Sequence, residues 1–176
     1  MESSYWKEFL DDMASELQHV ARPKRLTQRR CEIVKRNIVI SFFLLRRLIE
    51  LNKVSSKVRD FRLKVFAWPS TGKLPTLLNN HRIDELYDFS KEKAQFKKIT
   101  YICNQVIHSY AAAMVVDETR NWESMLTVSD KDRKDCIWRI PVCAMVDLLR
   151  TASTDYPKQV HYTLNEKTDD YDVETN

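Results

Sequence analysis

One glycine in 176 residues, Gly72, is the strongest constraint this sequence places on its fold. Tight turns and bulges draw on glycine because it enters left-handed backbone conformations without steric cost. With one glycine and five prolines, the chain is poorly supplied for an all-β architecture and well suited to long helices joined by few connections. It also lacks the glycines for a GxGxxG turn or a P-loop, so those phosphate cradles are excluded. The expectation is a mainly α chain, a helical bundle forming a single domain.

Apolar periodicity supports the helices in turn. Over residues 4 to 21, Trp6, Phe9, Leu10, Met13, Leu17 and Val20 share one face, with Ser4 as a cap and His19 near the end without a special role. Pro23, in the run Arg22, Pro23, Lys24, Arg25, stops that helix, and Thr27 caps a second that runs to about Lys53. Apolar residues nearly encircle the middle of this second helix, as expected of an element buried in a bundle or shared with a second copy in a homodimer. Residues 55 to 72 fit both the strand and the helix period, with Ser55 and Ser56 tilting the choice toward helix. A loop through Pro69, Gly72 and Pro75 follows, then a short helix near His81 and Arg82. His81 is a second candidate site histidine.

The chemistry lies in residues 90 to 113. Ser90 can cap, Glu92 favours the positive end of the dipole, and no glycine or proline interrupts the run, so a helix of about six turns is expected. Phe96, Ile99, Cys103, Val106, Ile107 and Tyr110 form its apolar stripe. At about 100° per residue, Lys97, Tyr101, Asn104 and His108 fall on a separate sector about 130° away. Asn104 and His108 are one turn apart and can reach a common ligand.

The pattern Cys103, Asn104, His108 within ICNQVIHSY resembles the core helix motif of the HEPN superfamily, all-helical domains of prokaryotic toxin and defence systems. The resemblance implies metal-independent RNA cleavage, in which the histidine moves a proton at a ribose 2′-hydroxyl and an arginine steadies phosphate charge. It also implies a site built across a dimer. Here Asn104 and His108 fit the motif, while Cys103 stands where the arginine is expected and cannot supply its charge. Cleavage then needs a cation from Lys97, Lys98 or an arginine of another helix.

After Ala113 the pattern turns strand-like, in short apolar runs separated by DETRN and SDKDRKD, and a small antiparallel β-meander is expected over about 114–140. Pro141 opens a final helix ending near Ala152. The domain is taken as 1–156, with 157–176 a polar, acidic and partly disordered tail.

The net charge of +4 is unevenly placed. Basic residues crowd the first half, and Arg29, Arg36, Arg46 and Arg47, with Lys97 and Tyr101, are candidate RNA contacts beside catalytic candidates His108 and Asn104. Cys31, Cys103, Cys136 and Cys143 show no CxxC spacing, so reduced thiols and no metal or cofactor are expected. Neither a secretory signal nor a run of about 20 apolar residues is present, and a cytoplasmic protein without a membrane partner is expected. Two functions remain open. One is an RNA-binding or RNA-cleaving protein of a bacterial defence, toxin or mobile-element system. The other is a catalytically inactive module that organises a dimer or holds a companion protein.

Overall fold

The computed structural model describes residues 3–18, 27–167 and 169–176. Helix α1 (Ser4–Gln18) buries Leu10, Met13 and Leu17 of the expected stripe, with Ala14 beside them, while Trp6 and Phe9 are half-buried. Helix α2 (Gln28–Glu50) starts where Thr27 accepts a hydrogen bond from the Arg30 amide at 3.3 Å. It buries Val34, Ile38, Phe42, Leu45 and Leu48, while Ile40 and Phe43 on its outer side are exposed. The stop at Pro23, His19 and the cations Arg22, Lys24 and Arg25 lie outside the described residues.

A five-stranded antiparallel sheet, not a bundle, organises the rest. After a short helix α3 (Ser56–Arg59), the strands are β1 (Arg62–Pro69), β2 (Lys93–Lys98), β3 (Ser109–Val116), β4 (Trp122–Ser129) and β5 (Cys136–Pro141). Their order across the sheet is β2-β1-β5-β4-β3. The segment between β1 and β2 carries the short helix α4 (Ile83–Leu86) and a 3-10 turn (Phe89–Lys91). Helix α5 (Ile99–Ile107) links β2 to β3, and α6 (Val142–Thr154) follows β5 directly.

Each face of the sheet has its own cover. Leu63, Val65 and Ala67 alternate along β1 onto the helical side, where they join Trp138, Met125 and the buried stripes of α1, α2, α5 and α6 in one core. The opposite face places Leu126, Val128 and Ile137 under Leu86 and Tyr87 of the α4 segment, with Trp68, Ala111, Ala113 and Val115 at the margin. That cover stops short of β2.

The helical-bundle expectation is therefore corrected to a mixed α/β fold. The glycine reasoning fails because the turns do not use glycine. Asn52, Arg120 and Asp169 take positive φ at 52°, 66° and 51°, beside Gly72 at 91°. Asparagine and aspartate tolerate this region better than other side chains. Asp117 also holds the turn between β3 and β4, accepting from the amides of Thr119 and Asn121 at 2.8 and 2.9 Å.

The long helix expected over 90 to 113 is likewise corrected to strand β2, the nine-residue α5 and strand β3. Ser90 sits in the 3-10 turn instead of capping a long helix. Residues 62–69, tilted toward helix by their sequence, are strand β1. The 157–176 tail forms a hairpin of β6 (Val160–Asn165) and β7 (Asp170–Thr175). Two long-range bonds dock it: Thr175 Oγ1 donates to the Val54 carbonyl at 2.9 Å and Arg59 to the Val173 carbonyl at 2.7 Å.

Candidate functional site

The three positions of the proposed motif separate by depth on α5. Cys103 is 0% exposed and faces the core with Ile99, Ile102 and Val106. Burial pushes its thiol up to about 12, so it is neither a nucleophile nor a stand-in for an arginine at a surface. Asn104 is half-buried, and His108, the residue that ends the helix, is exposed. The His108 amide donates to the Asn104 carbonyl at 3.1 Å, which fixes the two residues one turn apart.

A cation does reach Asn104, from another helix. Arg46 of α2 donates through Nη1 to the Asn104 side-chain oxygen and through Nε to Glu50, the latter at 2.8 Å. Glu50 also accepts from Arg47 at 2.6 Å. Hydrogen bonds from Arg46 and then Arg47 hold the Glu50 carboxyl below the usual carboxylate range. Phe43, Arg46, Arg47, Glu50, Asn104 and His108 line one groove of about 270 Å³. Among the described residues, no hydrogen bond engages the His108 imidazole, leaving both ring nitrogens to solvent or a ligand.

A second, larger cleft of about 490 Å³ opens on the other side of Asn104 and His108, toward Asp130, Lys131 and Asp132. Its floor is tied down. The buried Gln105 donates from Nε2 to Asp132 at 2.7 Å and accepts the Ser129 amide at 2.9 Å, while its carbonyl accepts from Thr127 Oγ1 at 3.0 Å. The Tyr101 hydroxyl donates to the same Asp132 carboxylate. Burial first and that bond second push the Tyr101 pKa upward, so its hydroxyl remains a donor. Tyr101 packs edge-on against Trp138 at 5.7 Å between ring centres.

Of the residues named from sequence, the groove brings together His108, Asn104, Arg46 and Arg47. Lys97 lies on β2 with its ammonium 4.8 Å from the Trp138 ring centre and 5.2 Å from that of Tyr101, where it serves aromatic packing. Arg36 donates to Asn37 at 2.9 and 3.1 Å, and Arg29 lies in the first turn of α2. At about 1.5 Å of rise per residue, they sit about 15 and 25 Å along the helix from Arg46, too far to share its ligand. His81 lines a different depression, of about 360 Å³, with Tyr110.

Sequence reasoning missed Glu50, Gln105 and Asp132. The i,i+4 spacing of Arg46 and Glu50 was a readable signal for the first. Nothing in the sequence links Gln105 to Asp132, which only the return of the chain through β4 brings together. Among the described residues, no group of three His, Cys, Asp or Glu side chains is placed to hold a metal ion. No helix among them is long and apolar enough to cross a membrane. No family model, curated protein or solved structure matches this chain, so the chemistry of the groove is read from its own side chains.

Proposed function

We propose that the groove between α2 and α5 binds an RNA phosphate and presents the adjoining ribose to His108. The observation that carries this reading is the Arg46 guanidinium at the Asn104 side chain, which supplies from α2 the cation that Cys103 does not. A guanidinium has five donors, so bonds to Asn104 and Glu50 leave others for phosphate oxygens. His108 would take the 2′-hydroxyl proton as the 2′-oxygen attacks the adjacent phosphorus and the bond to the 5′-oxygen breaks. Water returns a proton to the departing 5′-oxygen, and Arg46 stabilises the charge gathering on the phosphoryl oxygens. The reading needs no all-helical fold. The setting it fits is the defence, toxin or mobile-element context that the HEPN resemblance suggests.

A second reading, the silent interaction module, is favoured by Glu50, which neutralises both arginines at 2.8 and 2.6 Å. One experiment separates them. Purified wild type, His108→Ala and Arg46→Ala are incubated with end-labelled single-stranded and hairpin RNAs in EDTA, and both gel shift and cleavage are read. On the first reading His108→Ala binds without cleaving, and Arg46→Ala loses cleavage and binds more weakly. RNA that is neither shifted nor cut by wild type at low salt overturns the RNA reading and leaves the module.

A further inference from the structure

The uncovered part of the second sheet face holds a group of side chains that neither reading uses. Alternation along β1 turns Arg62, Lys64 and Phe66 away from the helical core, and the pairing register places Lys98 opposite Arg62 and Phe96 opposite Lys64. These residues lie on the side of the sheet opposite α5, beyond the edge of the α4 cover.

Three properties set this patch apart from ordinary solvated charge. First, Phe96 is 63% exposed at the centre of an ordered strand, flanked by cations. Second, Arg62 and Lys98 are direct cross-strand partners, and like charges so placed repel and destabilise the pair. Third, among the described residues no carboxylate lies within 4.0 Å of Arg62, Lys64 or Lys98, whereas Arg46 and Arg47 are both met by Glu50. Farther along the same face, Arg139 engages Glu92 and Glu123, at 2.8 and 3.5 Å. Arg139 in turn stacks 4.2 Å from the Phe66 ring centre, closing that side of the patch and leaving the Phe96 ring open.

We infer that this face is a platform for single-stranded nucleic acid, with a base stacked on Phe96 and phosphates on Arg62, Lys64 and Lys98. A polyanion removes the Arg62–Lys98 repulsion that the free protein carries. An exposed ring between unneutralised cations suits a base and its backbone together, because stacking is sequence-tolerant while the cations follow the phosphates. A duplex keeps its bases stacked inside and offers the ring nothing. An acidic peptide satisfies the cations but does not use the ring.

Fluorescence anisotropy with a labelled mixed-sequence 15-mer, as RNA and as DNA, tests the platform against its duplex and against poly-glutamate. Both single strands are expected to bind, with log K falling against log salt at a slope of about −2 for three phosphate contacts. Phe96→Ala is expected to weaken binding about tenfold and Arg62→Gln with Lys98→Gln to flatten the salt slope, all with unchanged circular dichroism. Binding of RNA but not DNA supports the platform with a ribose contact added. Equal affinity for the duplex, equal competition by poly-glutamate, or full affinity in Phe96→Ala overturns it. The α2–α5 groove is scored separately by Arg46→Ala. Loss there with Phe96→Ala intact sinks the platform and keeps the groove, and the converse keeps the platform and sinks the groove.

Discussion

Arg46 on α2 and Asn104 on α5, 58 residues apart in sequence, are joined by a guanidinium hydrogen bond to the Asn104 side-chain oxygen. The same guanidinium is held on its other side by Glu50, so its plane is oriented before any ligand arrives. That carboxylate also competes with an incoming phosphate. Glu50→Gln keeps an oxygen acceptor and removes the charge. It should raise the affinity for RNA about five- to tenfold at low salt. A titration of labelled RNA into wild type and variant at fixed ionic strength reads this directly, and unchanged or weaker binding would place the RNA elsewhere.

Restoring the expected arginine at position 103 should damage the protein instead of activating it. Cys103 is 0% exposed among Ile99, Ile102 and Val106, so an arginine at this position starts from the core and not from the groove surface. Cys103→Arg buries an unpaired charge, at a cost of about 3–5 kcal/mol, a large share of a total of about 5–15 kcal/mol. The melting temperature should fall by about 10 °C or more, against a few degrees for Cys103→Ala. A well-folded Cys103→Arg protein with new ribonuclease activity would mean that α5 can present position 103 to solvent.

The parts of the fold that showed in the sequence are those with one buried face. Helices α1 and α6 carry a stripe at helical spacing, α2 shows as a long apolar helix although Ile40 and Phe43 of its apolar ring are exposed, and Thr27 and Pro141 mark two of their starts. Strand β2 shows no such stripe: no side chain of KAQFKK is fully buried, and its half-buried positions are the polar Gln95 and Lys97, so its alternation carries no inward apolar period. Strand β3 is half-buried on both sides and rich in alanine, a strong helix former, so SYAAAMVV reads as the continuation of α5. The boundaries at Lys98 and His108 have neither glycine nor proline to mark them. In the site, the one-turn spacing of Asn104 and His108 survives because both remain on α5 and its cap. The choice of Arg46 over Arg29 or Arg36 depends on how α2 crosses α5, which no local pattern encodes.

Thiol reactivity should follow burial. Cys143 is exposed on α6 and should react rapidly with a colorimetric disulfide reagent at pH 8. Cys103, raised to about 12, and Cys136, pushed up to about 11 first by burial and then by Asp132, should lag far behind. Counting fast and slow thiols before and after adding denaturant checks the assignment. A Cys103 that reacts at the rate of Cys143 in the native protein would mean that the α5 core face opens.

The turn before β2 carries an acid-sensitive contact. Asp88 accepts the Ser90 hydroxyl at 2.6 Å and pairs with Lys91 at 2.9 Å. The Ser90 bond first, then that of Lys91, pulls its carboxyl down to about 2. Because the folded value lies below the unfolded one, the contact stabilises the turn above about pH 4 and is lost as pH falls from about 4 to about 2. Carboxyl NMR titration should give an Asp88 midpoint near 2 in wild type. In Ser90→Ala it should move toward the ordinary aspartate range. Titration of the wild-type residue in that range would show that the hydroxyl bond does not form in solution.

Gln105 is the polar group whose loss should cost most. It is 3% exposed, and its side chain serves two partners, donating to Asp132 at 2.7 Å and accepting the Ser129 amide at 2.9 Å. Gln105→Leu fits the volume but strands the Ser129 amide, itself in a buried residue, and removes one donor from Asp132, leaving Tyr101 alone on that carboxylate. An unsatisfied buried donor costs about 1–3 kcal/mol, and loss of a bond to a charged acceptor about 1.5–3 kcal/mol. Urea denaturation should therefore show a loss of about 3 kcal/mol, whereas Tyr101→Phe, which removes a single bond, should lose about half as much. The two changes share Asp132, so the double variant should fall short of or exceed the sum of the singles by at least about 0.5 kcal/mol. Strict additivity would mean that Gln105 and Tyr101 do not hold one carboxylate in solution. The floor of the cleft beside His108 would then not be the fixed surface described by these bonds.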